Sequence, residues 1–254
     1  METFRLTNLS TQTDSDLRYK KEMADHFSNA SGDVLDKLNC FSRFVSRQSL
    51  SLFLAKNEIF KRILDVHGNI VECGVFRGAG LMTWAQLSAI YEPVNHTRRI
   101  IGFDTFEGFS DLSDSDHSKD ANFEHKQKGS YAFGGKDEIE ESIRLFDLNR
   151  PVGHLPKVEL IKGDATRTIK KYIEENQHLV VALLYLDFDL YEPTKAAIEH
   201  FLPRMPKGAI IAFDELNQKQ WPGETKAVLD TIGIRNIRIE RVPFVPQLSF
   251  AQLS

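Results

Sequence analysis

Carboxylates recur in this sequence where apolar runs give way to loops. They are Glu72 in IVECGVFRGAG, Asp104 in IIGFDTFEGF, Asp164 in VELIKGDAT, Asp187 and Asp189 in VALLYLDFDLYEPT, and Asp214 with Glu215 in AIIAFDELN. If those runs are successive parallel strands, the acids converge on the carboxyl edge of one sheet, where open α/β folds bind ligands. An ionised carboxylate accepts hydrogen bonds from hydroxyls, balances a cationic group, or offers hard oxygen to a divalent ion. The first three acids suit a nucleoside-containing cofactor and the later ones a metal.

The glycine pattern narrows the cofactor. Gly74, Gly78 and Gly80 follow an apolar run and precede an apolar-periodic segment, so they permit a sharp turn with close backbone approach. A dinucleotide site has G-x-G-x-x-G, with pyrophosphate at the helix terminus. That spacing is absent, and an acid, Glu72, stands two residues before the first glycine. A carboxylate there suits a sulfonium or amino-acid moiety better than phosphate, favouring S-adenosylmethionine over a nicotinamide. Asp104 is placed to receive the ribose hydroxyls. Asp164 is placed either to bind the adenine amine or to orient neighbouring backbone donors. The site expected from these residues is Glu72, Gly74, Gly78, Asp104 and Asp164.

The intervening pattern supplies the elements that must position them. Apolar runs at 70–73, 99–103, 158–161, 180–186 and 209–213 read as strands, and periodic segments at 81–90, 165–174, 194–202 and 225–232 as the helices after them. The alternation predicts an α/β fold with a doubly wound, mostly parallel, Rossmann-like sheet. Residues 237–242 and 247–253 are expected to close it as an antiparallel edge hairpin. Residues 1–32 are polar and irregular, with a short helical possibility at 17–27, and read as a mobile or partner-packed arm. Residues 33–254 are expected to form one domain. Apolar positions between 34 and 64 recur with helical spacing and suit helices that cover a sheet edge or build a contact in a homodimer or larger homo-oligomer.

More than fifty residues separate Asp104 from Val158, an unusual length for a connection in a compact domain without a lid, binding loop or extra helix. Residues 105–157 are therefore expected as an insertion over the ligands, with a helix at 137–146. Within it His117 and His125 are candidate bases, although solvated surface histidines are the plainer reading. Arg77, Tyr191, Trp221 and Pro222 are weaker candidates for ligand contact, and each also reads as a packing or loop residue.

Composition sets outer limits. The 254 residues carry a formal charge of −4, with 41% apolar and 27% charged residues, a balance that opposes a generic nucleic-acid surface. Two cysteines, Cys40 and Cys73, are too few for a disulfide framework and fit a reducing cytoplasm. The first residues lack an apolar export segment, and no stretch approaches the length of a membrane span.

Residues 47–233 resemble the macrocin O-methyltransferase family. The likeness is carried by IVECGVFRGAG, GFDTFEGF, LLYLDFDLYEPTKAAIEHFLPRMPKGAIIAFDE and WPGETKAV, with LDFDLYEPT the most specific block. The resemblance implies a class I fold and S-adenosylmethionine- and Mg²⁺-dependent methylation of a sugar hydroxyl in natural-product biosynthesis. It also implies metal ligation by Asp187, Asp214 and Glu215, with Asp187 receiving the acceptor proton. The family has Asp-Asp where this chain has Asp214-Glu215. Asp189 is a competing ligand, and would share a face with Asp187 if strand character continued through both. Two other readings are methylation of a catechol or phenol, and a nucleotide-binding or oligomerising protein without catalysis.

Overall fold

The computed structural model describes residues 13–117 and 127–254. The chain divides into two compact units, Met1–Ser51 and Leu52–Ser254. In the first, α1 spans Asp14–Asn29 and α2 spans Val34–Asn39. Both begin with reciprocal capping boxes, Thr13 with Asp16 and Asp33 with Asp36, which satisfy otherwise orphaned amide donors. Those caps explain why α1 is longer than the apolar spacing alone predicts. Neither helix has a buried residue, and Leu17, Leu35, Leu38 and Phe41 remain exposed.

In the second unit a seven-stranded sheet has β1 at Asn69–Cys73, β2 at Ile100–Asp104, β3 at Val158–Lys162, β4 at Val181–Leu186, β5 at Ile210–Phe213, β6 at Ile239–Val242 and β7 at Val245–Gln252. Their order is β3-β2-β1-β4-β5-β7-β6. The first five strands are parallel, as the alternation predicts, and β7 runs antiparallel to both β5 and β6. The closing hairpin therefore inserts its second strand into the sheet, so that β6 forms this edge and β3 the opposite one. Apolar residues Leu248, Phe250 and Ala251 favour the interior position, because they are buried in the layers on the two faces of the sheet.

Two apolar layers enclose the sheet. One face packs on α3 (Arg47–Lys61, whose Ala55, Ile59 and Phe60 are buried), α4 (Ala79–Tyr91) and α5 (Lys136–Asn149). The other packs on α6 (Ala165–Glu175), α7 (Tyr191–Phe201) and α8 (Pro222–Thr231). Every residue of β4 is buried, the pattern of a central parallel strand covered on both sides. Arg98 is buried too; it donates to the carbonyls of Ile63, Val66 and Gly68 while paired with Glu92, tying down the chain that enters β1.

Chain order reverses between β1 and β4, so the crevice at their carboxyl ends is the topological switch point. Tight main-chain contact fixes it: Asp187 N–H donates to Cys73 O at 2.8 Å, and Gly74 N–H to Phe103 O at 2.9 Å. Gly74 has φ +97°, and a Cβ there would collide with the Asp187 carbonyl. Gly74→Ala is expected to destabilise the fold by about 1–3 kcal/mol from backbone strain alone. Chemical denaturation checks this, and an unchanged midpoint would contradict it.

Candidate active site

The strand pleat sends Glu72 and Tyr185, which are register neighbours on β1 and β4, to the same face. Glu72 is 1% exposed. Its Oε1 faces Lys56 Nζ on α3 at 4.0 Å, and its Oε2 has no hydrogen-bond partner. Trp84 Nε1 lies near the same carboxylate without a well-formed hydrogen bond. The Lys56 ammonium also sits 3.2 Å from the Tyr185 ring centroid and 4.8 Å from that of Trp84. Tyr185 in turn donates its hydroxyl to Asp214 Oδ1. Contacts thus run from Glu72 through Lys56 and Tyr185 to Asp214 beyond β5. Gly80 belongs to this arrangement, because any Cβ there would strike Glu72 Oε1.

Burial pushes the Glu72 carboxyl up to about 7, with Lys56 opposing the rise and the charges of Asp214 and Asp104 adding to it. Burial also pushes Asp187 well above the carboxylate range, reinforced by Asp214 and Asp189. Glu224 on α8 is fully buried and displaced upward by burial, then by Asp214, Glu215 and Asp189. Its Oε1 accepts the Glu215 N–H at 3.1 Å, and its Oε2 is unpartnered. Glu72, Asp104, Asp187, Asp189, Asp214 and Glu215 therefore share one electrostatic field. Among the described residues, however, no group of three or more His, Cys, Asp and Glu side chains forms a metal cage. The set Asp187, Asp214 and Glu215 is not assembled as a triad. Strand character ends at Leu186, and Asp189 adopts φ +62°, so the alternation that would align it with Asp187 does not continue.

Asp104 organises the glycine-bearing loop after β1. Its Oδ2 accepts the N–H groups of Val75 and Phe76 at 2.8 and 2.9 Å, and its Oδ1 accepts that of Phe106 at 2.6 Å. These bonds hold Phe76 and Phe106 in left-handed conformations with φ +49° and +54°. A carboxylate has roughly four acceptor positions, so about one remains beyond these three bonds. Asp164 caps α6, its Oδ1 accepting Thr166 N–H at 3.0 Å and the Thr166 hydroxyl at 2.8 Å. Gly78, at φ +81°, precedes α4 and faces Ile139 of α5.

The insertion is anchored beside these groups. Asp116 is buried, and its Oδ1 accepts Tyr191 N–H at 2.7 Å, capping α7 where Leu190 supplies no side-chain cap. Gly223 leaves room for that carboxylate, and Lys226 Nζ donates to Ser115 O at 2.7 Å. Among the weaker candidates, His117 is exposed. His125 lies outside the described residues. Arg77 stacks on Phe133 with 4.7 Å to the centroid, and the Tyr191 hydroxyl donates to Asp230.

Lys56, Asp116, Tyr185 and Glu224 were not among the candidates drawn from the sequence. Two carried a signal: Lys56 lies on the buried stripe of Ala55, Ile59 and Phe60, and Glu224 on that of Gly223, Ala227 and Val228. A charge on a buried stripe demands a partner.

The family model described as Macrocin-O-methyltransferase (TylF) matches residues 47–238. The chain belongs to this family, within the class I S-adenosylmethionine-dependent O-methyltransferases. It is similar to a solved calicheamicin methyltransferase at 31% identity, with TM-score 0.90 and 99% of each chain covered. The apo structure of the same enzyme, described as a TDP-rhamnose 3′-O-methyltransferase of calicheamicin biosynthesis, matches at 30% identity, TM-score 0.81 and 95% of each chain. A curated relative, 8-demethyl-8-(2,3-dimethoxy-alpha-L-rhamnosyl)-tetracenomycin-C 4′-O-methyltransferase of Streptomyces olivaceus, is 27% identical over 59% of this chain and 53% of its own length. Demethyldecarbamoylnovobiocin O-methyltransferase of Streptomyces niveus is 22% identical over the same shares. The matched region spans about half the length of these two curated relatives.

The raised carboxyls fix the sign of a pH effect. Glu72 titrates at about 7 in the fold against an ordinary 4.5, so across that window the folded protein retains protons that the unfolded chain has released. Its contribution to stability is present below the lower value and lost as pH rises through the upper one; Asp187 and Glu224 are shifted in the same direction. Lys56→Met deletes the charge opposing the Glu72 shift. Melting of the cofactor-free variant is expected to fall more steeply than the parent's between about pH 5 and about pH 8. Parallel pH profiles would contradict the assignment.

Proposed function

We propose that this chain transfers a methyl group from S-adenosylmethionine to a sugar hydroxyl, with Asp187 as proton acceptor. The full-length likeness to the calicheamicin methyltransferase supports the reading, because it extends over 99% of both chains at TM-score 0.90 and its apo structure is described as a TDP-rhamnose 3′-O-methyltransferase. In the proposed reaction the acceptor oxygen attacks the methyl carbon. The carbon–sulfur bond breaks, its electron pair neutralises the sulfonium, and the hydroxyl proton passes to Asp187. Burial and the charges of Asp214 and Asp189 raise the basicity of Asp187, as a proton acceptor requires. Glu72 faces the cationic methionine portion, Asp104 and Gly74 shape the loop around the nucleoside, Gly78 opens the helix beneath it, and Asp164 fixes the adjoining turn.

A divalent cation such as Mg²⁺ fits the chemistry of Asp187 and Asp214, because these hard oxygen donors repel one another without positive charge; Glu215, next in the chain after Asp214, is the third acid assigned to it. Mg²⁺ commonly uses one or two carboxylates and leaves its other positions to water or substrate. When bound, it would lower the pKa of the acceptor hydroxyl. The exposed apolar residues of α1 and α2 support a homodimer or larger homo-oligomer. Among the described residues, no helix is long and apolar enough to cross a membrane.

The test is methyl transfer to TDP-rhamnose, a free rhamnoside and catechol, with and without exhaustive chelation. Turnover of a sugar acceptor is expected only with a divalent ion, and Asp187→Asn is expected to lower it about a hundredfold or more while cofactor binding persists. Full activity in either condition would remove the metal or the base, and turnover of catechol alone would reassign the acceptor. Calorimetry addresses the loop separately. Asp104→Asn places amide hydrogens against backbone donors, so S-adenosylmethionine affinity is expected to fall at least about tenfold. Unchanged affinity in a folded variant would separate Asp104 from cofactor binding.

A further inference from the structure

We infer that Phe109, Tyr131 and Trp221 form the platform on which the acceptor's pyranose ring lies, with Tyr131 and Trp221 determining acceptor specificity. This rests on the sugar-hydroxyl reading and adds to it a site separate from the acid cluster. The three rings meet in one group: centroids are 4.9 Å apart for Phe109 and Tyr131, 5.6 Å for Phe109 and Trp221, and 6.0 Å for Tyr131 and Trp221. They come from two distant stretches, the base of the insertion and the connection after β5. All three are half-buried, and none belongs to either apolar core. Aromatic rings gathered outside a core and left partly open are the ordinary lining of a small-molecule site.

The backbone holds the platform in place. Phe109 N–H donates to Ser130 O at 2.8 Å and Gly129 N–H to Phe109 O at 2.9 Å, so the insertion is pinched shut between the first two rings. Gly108, at φ +82°, permits that closure because a Cβ would strike the Ser130 and Gly129 carbonyls. Tyr131 itself is held at φ +62°, a left-handed conformation that costs a non-glycine residue about 1 kcal/mol or more. Trp221 immediately precedes α8, whose Glu224 fixes the Glu215 backbone. The platform therefore adjoins the acids. The Tyr131 phenol is pushed up to about 12 by burial and then by the negative charges of Asp189 and Glu215.

This combination matches a pyranose. One face of such a ring presents C–H groups, which pack against the electron-rich faces of aromatic side chains. Its edge presents hydroxyls, which carboxylates accept. A platform beside Asp189 and Glu215 can hold the ring by its apolar face while one hydroxyl edge turns toward Asp187.

The experiment reads binding without turnover, so it stands apart from the test of methyl transfer. The chain has two tryptophans; Trp84 is fully buried and Trp221 half-buried, so ligand-dependent changes in tryptophan emission report chiefly on Trp221. With S-adenosylhomocysteine and Mg²⁺ present, TDP-rhamnose is titrated into the full chain, with TDP alone as the control. TDP-rhamnose is expected to shift the emission saturably and TDP to leave it unchanged. In calorimetry, Tyr131→Ala and Trp221→Ala are expected to weaken TDP-rhamnose at least about tenfold, and Trp221→Phe to restore it to within about threefold, while S-adenosylhomocysteine affinity holds. An equal shift with TDP would assign the rings to the base and overturn the sugar platform. Absence of any shift, or an equal loss of cofactor affinity in the alanine variants, would also overturn it, leaving the rings as a structural anchor.

Discussion

The carboxyl edge of this sheet depends on how one ammonium compensates acids that the fold has removed from water. Lys56 reaches from α3 to Glu72 and lies over Tyr185, whose hydroxyl engages Asp214. Burying a carboxylate is costly unless it is paired, and breaking a buried pair typically costs about 3–5 kcal/mol because a lone charge remains. At 4.0 Å the pair is loose, and Oε2 of Glu72 is left without a partner. Incomplete compensation suits a site that awaits a positive ligand. A cationic cofactor near Glu72 and a divalent ion near Asp187 and Asp214 would each lower the electrostatic cost of the other's neighbourhood, since Tyr185 spans the two.

Geometry around those charges leaves little freedom. Gly74 and Gly80 are the positions at which any side chain would strike the Asp187 carbonyl or the Glu72 carboxylate. Asp104 occupies the same role from β2, converting three backbone donors into a fixed loop and holding two phenylalanines at positive φ. Asp116 does for α7 what Asp104 does for the cofactor loop: a carboxylate from one segment satisfies amide donors of another. Acids at this edge therefore divide between those that build the crevice and those that face it.

That division was only half legible in the sequence. Strands and helices could be read because buried runs such as VALLYL and the periodic helix faces impose their own pattern, and strand ends then located Glu72, Asp104, Asp187 and Asp214 on one edge. Local spacing says nothing about partners from elsewhere in the chain. Lys56 meets Glu72 only because α3 packs on the β1 face, and Asp116 reaches Tyr191 across 75 positions. The condition under which Asp189 would share a face with Asp187 is not met, because strand character ends at Leu186 and Asp189, three positions later, is left-handed. Trp221 was visible as a candidate beside the acids. Its companions Phe109 and Tyr131 were hidden by the length of the insertion, whose closure at Ser130 brings them together.

Separation of these elements also explains how one fold can hold its chemistry while its acceptors differ. Glu72, Asp104, Asp187 and Asp214 extend directly from strands whose buried residues interlock on both faces of the sheet, so changes there disturb the core. Phe109 and Tyr131 stand on an insertion, and Trp221 on a connection, outside either apolar cluster. Substitutions on such segments leave the sheet register untouched. The Asp116 cap on α7 and the Lys226 bond to Ser115 hold the insertion to the helices that follow the acids. On the proposed reading, a ring bound on the aromatic side would keep its position relative to α7 and α8 through these bonds, and acceptor preference could shift without disturbing the strand ends.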